Sequence, residues 1–193
     1  MKIILASSSP RRKELLSKIV KNFDIVPSNF DENSIKCEEQ NPSKLVEILS
    51  KAKGEEVFSR MDLNDNFIII SSDTMVFLDE QLLGKPKDKE EAFKMLKSLQ
   101  NKKHTVYTGL FIIVNKNGKQ ERILTHSKTN VYFKKLTDKE IIDYINLENT
   151  LDKAGAYAIQ GKANEFVEKI EGNVETVIGL DIEKLEEILK KYI

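Results

Sequence analysis

The sequence predicts an α/β protein, and three features carry that reading. The apolar run Ile3-Ile4-Leu5 gives way within a few residues to apolar positions at helical spacing. Phe67-Ile68-Ile69-Ile70 has the length and β-branching of a central strand, and two longer strand patterns, Thr105 to Val114 and Arg122 to Phe133, flank an Asn-Gly turn. At 193 residues the chain is read as one domain, residues 1–193, large enough for a proper core and able to form two small lobes sharing a sheet.

The elements follow in order. Ile3-Ile4-Leu5 is a buried strand, and Leu15-Leu16 with Ile19-Val20 mark one face of a helix. Ser9 then falls at the N-cap and Pro10 at the first helical position, where its fixed φ suits the helix and its missing N–H costs nothing. Arg11 and Arg12 stand in the first turn, where the helix dipole disfavours cations by a few tenths of a kcal/mol. Two guanidinium forks, serine hydroxyls and unpaired N–H groups on one loop make an anion site suited to phosphate; side chains simply solvated are the alternative. Phe23-Asp24-Ile25-Val26 reads as a second strand stopped by Pro27. The polar segment Ser28 to Lys36 carries Asp31-Glu32, acids for which the fold has no evident need. Asn41-Pro42 opens a second helix whose inner face is Leu45, Val46, Leu49 and Ala52, with Lys51 beside that face.

The central strand runs into Ser71-Ser72-Asp73-Thr74 before Met75-Val76-Phe77-Leu78 resumes the strand pattern. A carboxylate between two apolar runs is costly unless it is paired, protonated or used, which makes Asp73 the leading candidate for chemistry. The competing reading is an aspartate that caps a bend by binding nearby N–H groups. Asp79-Glu80-Gln81 turns the chain, and Gly84 and Pro86 are expected to fix the backbone around Lys85. A helix spans Lys89 to Leu99, the hairpin strands follow as antiparallel neighbours, and Thr137-Asp138-Lys139-Glu140 is a capping box for a helix through Ile145. The small-residue run from Leu151 to Gly161 lets backbone approach a ligand. Phe166 to Ile170 is a strand, Gly172 to Gly179 a loop or short helical turn, and Asp181 caps a terminal amphipathic helix.

Composition narrows the function. Basic and acidic residues balance at 31 each, so no general field attracts nucleic acid, and any polyanionic ligand must be small and held by a local cluster. A single cysteine, Cys37, excludes an intramolecular disulfide and a cysteine-only zinc site, and suits a reducing compartment. With no signal-peptide pattern and no apolar run near the roughly 20 residues that span a bilayer, a cytosolic protein without a membrane partner is expected.

Four segments together, Leu5-Ala6-Ser7-Ser8-Ser9-Pro10-Arg11-Arg12, Ser72-Asp73-Thr74, Gly84-Lys85-Pro86 and Leu151 to Gly161, resemble the Maf family of nucleoside triphosphate pyrophosphatases, with Val177-Ile178-Gly179-Leu180 similar to its closing segment. Ser50, where a Glu often precedes the site lysine, Asn173 in the closing loop and Asp181 in place of a common proline depart from the family pattern. The resemblance implies a long mixed sheet flanked by helices, two lobes with a central cleft, and hydrolysis of a nucleoside triphosphate to the monophosphate and pyrophosphate with magnesium or manganese. Arg11, Thr74 and Gln160 match the branch acting on dTTP and UTP. The resemblance further makes Asp73 the proton acceptor, places Ser7, Arg12, Glu32, Lys51 and Lys85 around the phosphates, and leaves a homodimer open. Glu32 and Asp73 are the hard oxygen donors expected to hold the metal. Gln160 suits uracil or thymine, since one amide can accept from the ring N3–H while donating to a neighbouring carbonyl. Two other readings are a pyrophosphatase for non-canonical purine triphosphates and a nucleotide-sensing regulator of cell division without turnover.

Overall fold

The computed structural model describes residues 1–34 and 39–193, and the side chain of Asn33 stands outside that description. The sequence readings that touch residues 35–38, including Cys37, lie outside the described residues. Strands β1 (Lys2–Leu5), β2 (Asp24–Ile25), β3 (Phe67–Leu78), β4 (Gln81–Leu83), β5 (Lys103–Lys116), β6 (Lys119–Phe133) and β7 (Val167–Glu171) alternate with helices α1 (Pro10–Ser17), α2 (Pro42–Phe58), α3 (Lys89–Leu99), α4 (Asp138–Leu147), α5 (Val174–Ile178) and α6 (Ile182–Leu189). Among the described residues the strands form one mixed sheet of seven, in the order β2-β1-β3-β5-β6-β7, with β4 paired to β3. The α/β fold with a mixed sheet is as the sequence predicts.

Local signals place the helix starts. Ser9 and Asn41 cap α1 and α2, each followed by proline at the first helical position, and Thr137 and Glu140 close the capping box of α4. Asn117 and Gly118 take left-handed φ values of 52° and 75°, as the turn between β5 and β6 requires.

Three expectations need correction. The second strand shrinks to two exposed residues, β2, at the edge of the sheet. The two runs around Asp73 are one unbroken strand, so the aspartate caps no bend. Tertiary contacts permit this: the Ser71 hydroxyl donates to the Ser50 carbonyl at 2.8 Å and the Ser72 hydroxyl to the Gly109 carbonyl at 2.8 Å, so buried polar side chains stay satisfied inside the sheet. Gly84 has no left-handed φ and open space around its Cα, so its backbone does not require glycine there; its carbonyl accepts from Gly155 N at 3.0 Å.

The chain divides into two compact units, and β3, β5 and β6 contribute residues to both. The first comprises Met1–Asp73, Thr108–Ser127 and Gly179–Ile193. Its core includes Ile4, Ala6, Val57, Phe67, Ile69, Phe111 and Ile113. The second comprises Thr74–Tyr107 and Lys128–Ile178, with a core that includes Leu96, Leu99, Val131, Phe133, Tyr144, Tyr157 and Phe166. Among the described residues no helix is long and apolar enough to cross a membrane.

Candidate active site

In the first unit, parallel pairing of β1 with β3 in the register Leu5↔Ile70 sets the site. Ala6 N donates to Ile70 O at 2.8 Å, so Ser7 and the segment Ser71-Ser72-Asp73 leave this ladder at the same level. The carboxyl ends of parallel strands are where α/β sheets collect ligands. The serine-rich loop is internally braced: the Ser7 hydroxyl accepts from Ser9 N at 3.2 Å and from Arg12 Nη1 at 3.3 Å.

Arg12 and the Asp73 segment meet at one carbonyl. Arg12 Nε donates to Gly179 O at 2.9 Å, and the Ser72 hydroxyl donates to the same oxygen at 3.0 Å. Loss of hydration lowers the pKa of the Arg12 guanidinium, an effect opposed by the negative charge of Asp73 and enhanced by the positive charge of Arg11. The arginine turn and the strand acid, far apart in the sequence, therefore lie together in the first unit.

Asp73 is buried and carries an ion pair. Lys53 Nζ lies 2.5 Å from Asp73 Oδ1 and 2.8 Å from Glu32 Oε1, so one ammonium joins both acids. Glu32 opens a short 3-10 turn, Glu32–Ser34, and remains partly exposed, with 46% of its side chain accessible against 7% for Asp73. Lys51, the lysine singled out from sequence, is exposed on α2. Residues two apart do not share a helix face, and it is Lys53 that falls on the stripe Val46, Leu49, Ser50, Gly54 and Val57 that α2 buries. A lysine on the buried stripe of an amphipathic helix is the signal that would have found it.

Helix α2 approaches the sheet closely. A Cβ on Gly109 of β5 would lie 2.2 Å from Val46 O, and one on Gly54 would lie 2.6 Å from both the Ser71 hydroxyl and the Phe111 ring. These two glycines bring α2 down onto β3 and β5 and carry Lys53, next to Gly54, to Asp73.

Thr74, Lys85 and Gln160 belong to the second unit. Thr74 follows Asp73 on β3 and is half-buried, Lys85 is exposed after β4, and Gln160 is half-buried just before Gly161. The Lys85 turn and the Gln160 segment are joined through the hydrogen bond from Gly155 N to Gly84 O. Gly155 and Ala156 both take left-handed φ, 67° and 63°. A Cβ on Gly155 would press to 3.1 Å against Val76.

The acid pair offers oxygen donors to a hard cation. Glu32 and Asp73 converge on one cation, the Lys53 ammonium. Among the described residues there is no cluster of three or more His, Cys, Asp or Glu that could hold a metal ion. Magnesium commonly makes do with one or two protein carboxylates plus substrate phosphates and waters, so this donor set fits it.

A family model for Maf-like proteins matches residues 2–192. The dTTP/UTP pyrophosphatase of Thermoanaerobacter sp. (strain X514) is 48% identical to this chain over 191 residues, covering 99% of this chain and 96% of that protein. A protein of the same name from Caldicellulosiruptor bescii is 45% identical, covering 98% and 94%, and one from Clostridium beijerinckii is 44% identical, covering 99% of each chain. With the serine-proline-arginine turn, the buried strand acid and the closing glycine segment meeting in one unit, and with the match running across both units, the chain belongs to the Maf family.

Proposed function

We propose that this protein is a nucleoside triphosphate pyrophosphatase acting on dTTP and UTP, releasing the nucleoside monophosphate and pyrophosphate. One observation carries the reading: a buried carboxylate, Asp73, stands among fixed cations, with Lys53 on its Oδ1 and Arg12 sharing the Gly179 carbonyl with Ser72. A site built only to bind an anion gains nothing from a buried acid, whereas hydrolysis needs a base for water. The relatives that match along the whole chain bear the name dTTP/UTP pyrophosphatase, which supports the same substrates here.

In this reading Asp73 accepts a proton from water as the water oxygen bonds to the α-phosphorus. The bond from that phosphorus to the bridging oxygen breaks, and the electron pair leaves with pyrophosphate. Lys53 holds the carboxylate in place, and Arg12, Ser7, the N–H groups opening α1 and Lys85 take the negative oxygens. Glu32 and Asp73 would hold a magnesium or manganese ion, which when bound spreads phosphoryl charge. Arg11, Thr74 and Gln160 contribute base selection, and the ring N3–H that Gln160 would accept is missing from cytosine.

The test is a panel of purified canonical and non-canonical triphosphates, with pyrophosphate and monophosphate measured with and without metal. Release from dTTP and UTP well ahead of CTP, ATP and ITP is the expected result. Bound but intact nucleotide after long incubation with metal would overturn it.

A further inference from the structure

His104, the second residue of β5, is 1% exposed and plays no part in the chemistry above. Its Nε2 lies 2.7 Å from the Tyr157 hydroxyl, while its Nδ1 is buried with no hydrogen-bond partner among the described residues. Two aromatic rings, Phe133 and Tyr157, stand edge-on to it at centroid distances of 4.9 and 5.4 Å. Packing alone would favour an apolar residue here, because burying an imidazole nitrogen without a partner is costly. What the imidazole adds over an apolar side chain is the hydrogen bond to Tyr157.

Tyr157 directly follows Gly155 and Ala156, the pair with left-handed backbone, and precedes Gln160 by three residues. A left-handed alanine is unfavourable by itself and persists only where surrounding contacts hold it. Those contacts are Gly155 N to Gly84 O at 3.0 Å, Ala156 N to Lys153 O at 3.0 Å, Ala158 N to the Tyr144 hydroxyl at 3.3 Å, and Tyr157 to His104. The last ties the segment to β5.

We infer that the His104–Tyr157 pair is a positioning clamp that sets the Gln160 segment and through it the preference for uracil and thymine over cytosine. This rests on the pyrimidine reading above. The pair acts by position, because burial pushes the His104 imidazole down to about 4 and the Tyr157 phenol upward, so neither exchanges a proton near neutrality.

Tyr157→Phe tests the clamp by removing one hydroxyl and keeping the ring. Two readouts are taken: amide hydrogen exchange across the chain, and kinetics with UTP, dTTP and CTP alongside inhibition by inorganic tripolyphosphate. Faster exchange confined to residues 153–161 is expected, with KM for UTP and dTTP rising about tenfold, the scale of one hydrogen bond. Turnover at saturation should change less, the UTP-to-CTP preference should fall, and tripolyphosphate, which lacks a base, should inhibit as before. His104→Gln, which can still bond the hydroxyl, should lie nearer wild type than His104→Phe. Unchanged exchange in that segment, or equal losses for UTP, CTP and tripolyphosphate, would overturn the clamp. A wild type that hydrolyses neither UTP nor dTTP would instead overturn the substrate reading, with the exchange result still judging the clamp by itself.

Discussion

Asp73 carries a stability cost that its proposed role as the base would put to use. Its carboxylate is buried in a strand that is otherwise apolar or hydroxyl-bearing, and the Lys53 ion pair makes that burial tolerable. Asp73→Asn should keep the shape and nucleotide binding while reducing pyrophosphate release by about 10²- to 10⁴-fold, the usual worth of a general base. Calorimetric binding alongside single-turnover kinetics checks this, and near-normal turnover would remove the aspartate from its role. His104 yields a prediction about pH. Burial lowers its pKa from 6.5 to about 4, so on acidification the unfolded chain takes up a proton that the folded chain refuses. Stability from this residue is therefore intact above the unfolded value and declines as pH falls toward the folded one. The loss amounts to about 2 kcal/mol between pH 7.5 and pH 5. Urea unfolding at the two pH values should show a loss of stability on acidification that is smaller by about that amount in His104→Gln than in wild type.

At the scale of elements, the decisive contact is α2 on the sheet. The buried stripe of the helix meets β3 and β5 at two glycines, one on each side of the interface. Gly109→Ala would drive a methyl into the Val46 carbonyl, so helix or strand must move. The expected cost is about 1–3 kcal/mol, typical of overpacking. Because the same displacement draws Lys53 from Asp73, kcat should fall with it; full activity at reduced stability would show that the close approach serves packing only. Within the second unit, Asp79 and Glu80 make the tight turn into β4 with left-handed φ of 49° and 66°. That turn brings the chain to Lys85, and the bond from Gly155 to Gly84 joins it to the Gln160 segment.

For the molecule as a whole, the residues fall into two sets. The first unit holds Ser7, Arg11, Arg12, Glu32, Lys53 and Asp73, while the second holds Thr74, Lys85 and Gln160. Arg12→Ala and Lys85→Ala should weaken triphosphate binding more than monophosphate binding, because their proposed partners are the outer phosphates. Equal losses measured by titration with UTP and UMP would place neither there. Chelation should abolish turnover by a protein whose melting temperature hardly changes, since the Glu32–Lys53–Asp73 contacts hold without a metal. Restoration by magnesium or manganese completes that test, and full turnover in excess chelator would contradict the metal reading.

Much of this was legible before any coordinates. The caps at Ser9, Asn41 and Thr137, the Asn117-Gly118 turn and the long apolar strands are local: each depends on residues within a turn or two, so sequence carries them directly. The pairing of the arginine loop with Asp73 was expressible only as a resemblance, because it depends on the Leu5↔Ile70 register and on a glycine carbonyl 167 residues from Arg12. Lys53 was within reach of the sequence, seven residues after Val46 and four after Leu49 on the same helix face, but only the fold shows that this face carries its ammonium to Asp73. The continuity of β3 through Ser71-Ser72-Asp73 was out of reach, since partners on α2 and β5 and at Gly179 are what make polar residues acceptable there. Sequence by itself determined the helices, their caps and the Asn117-Gly118 turn, since short-range sterics and hydrogen bonds act along the chain. Tertiary structure alone decided which charges meet, because burial and pairing are properties of neighbours that the chain brings together only on folding.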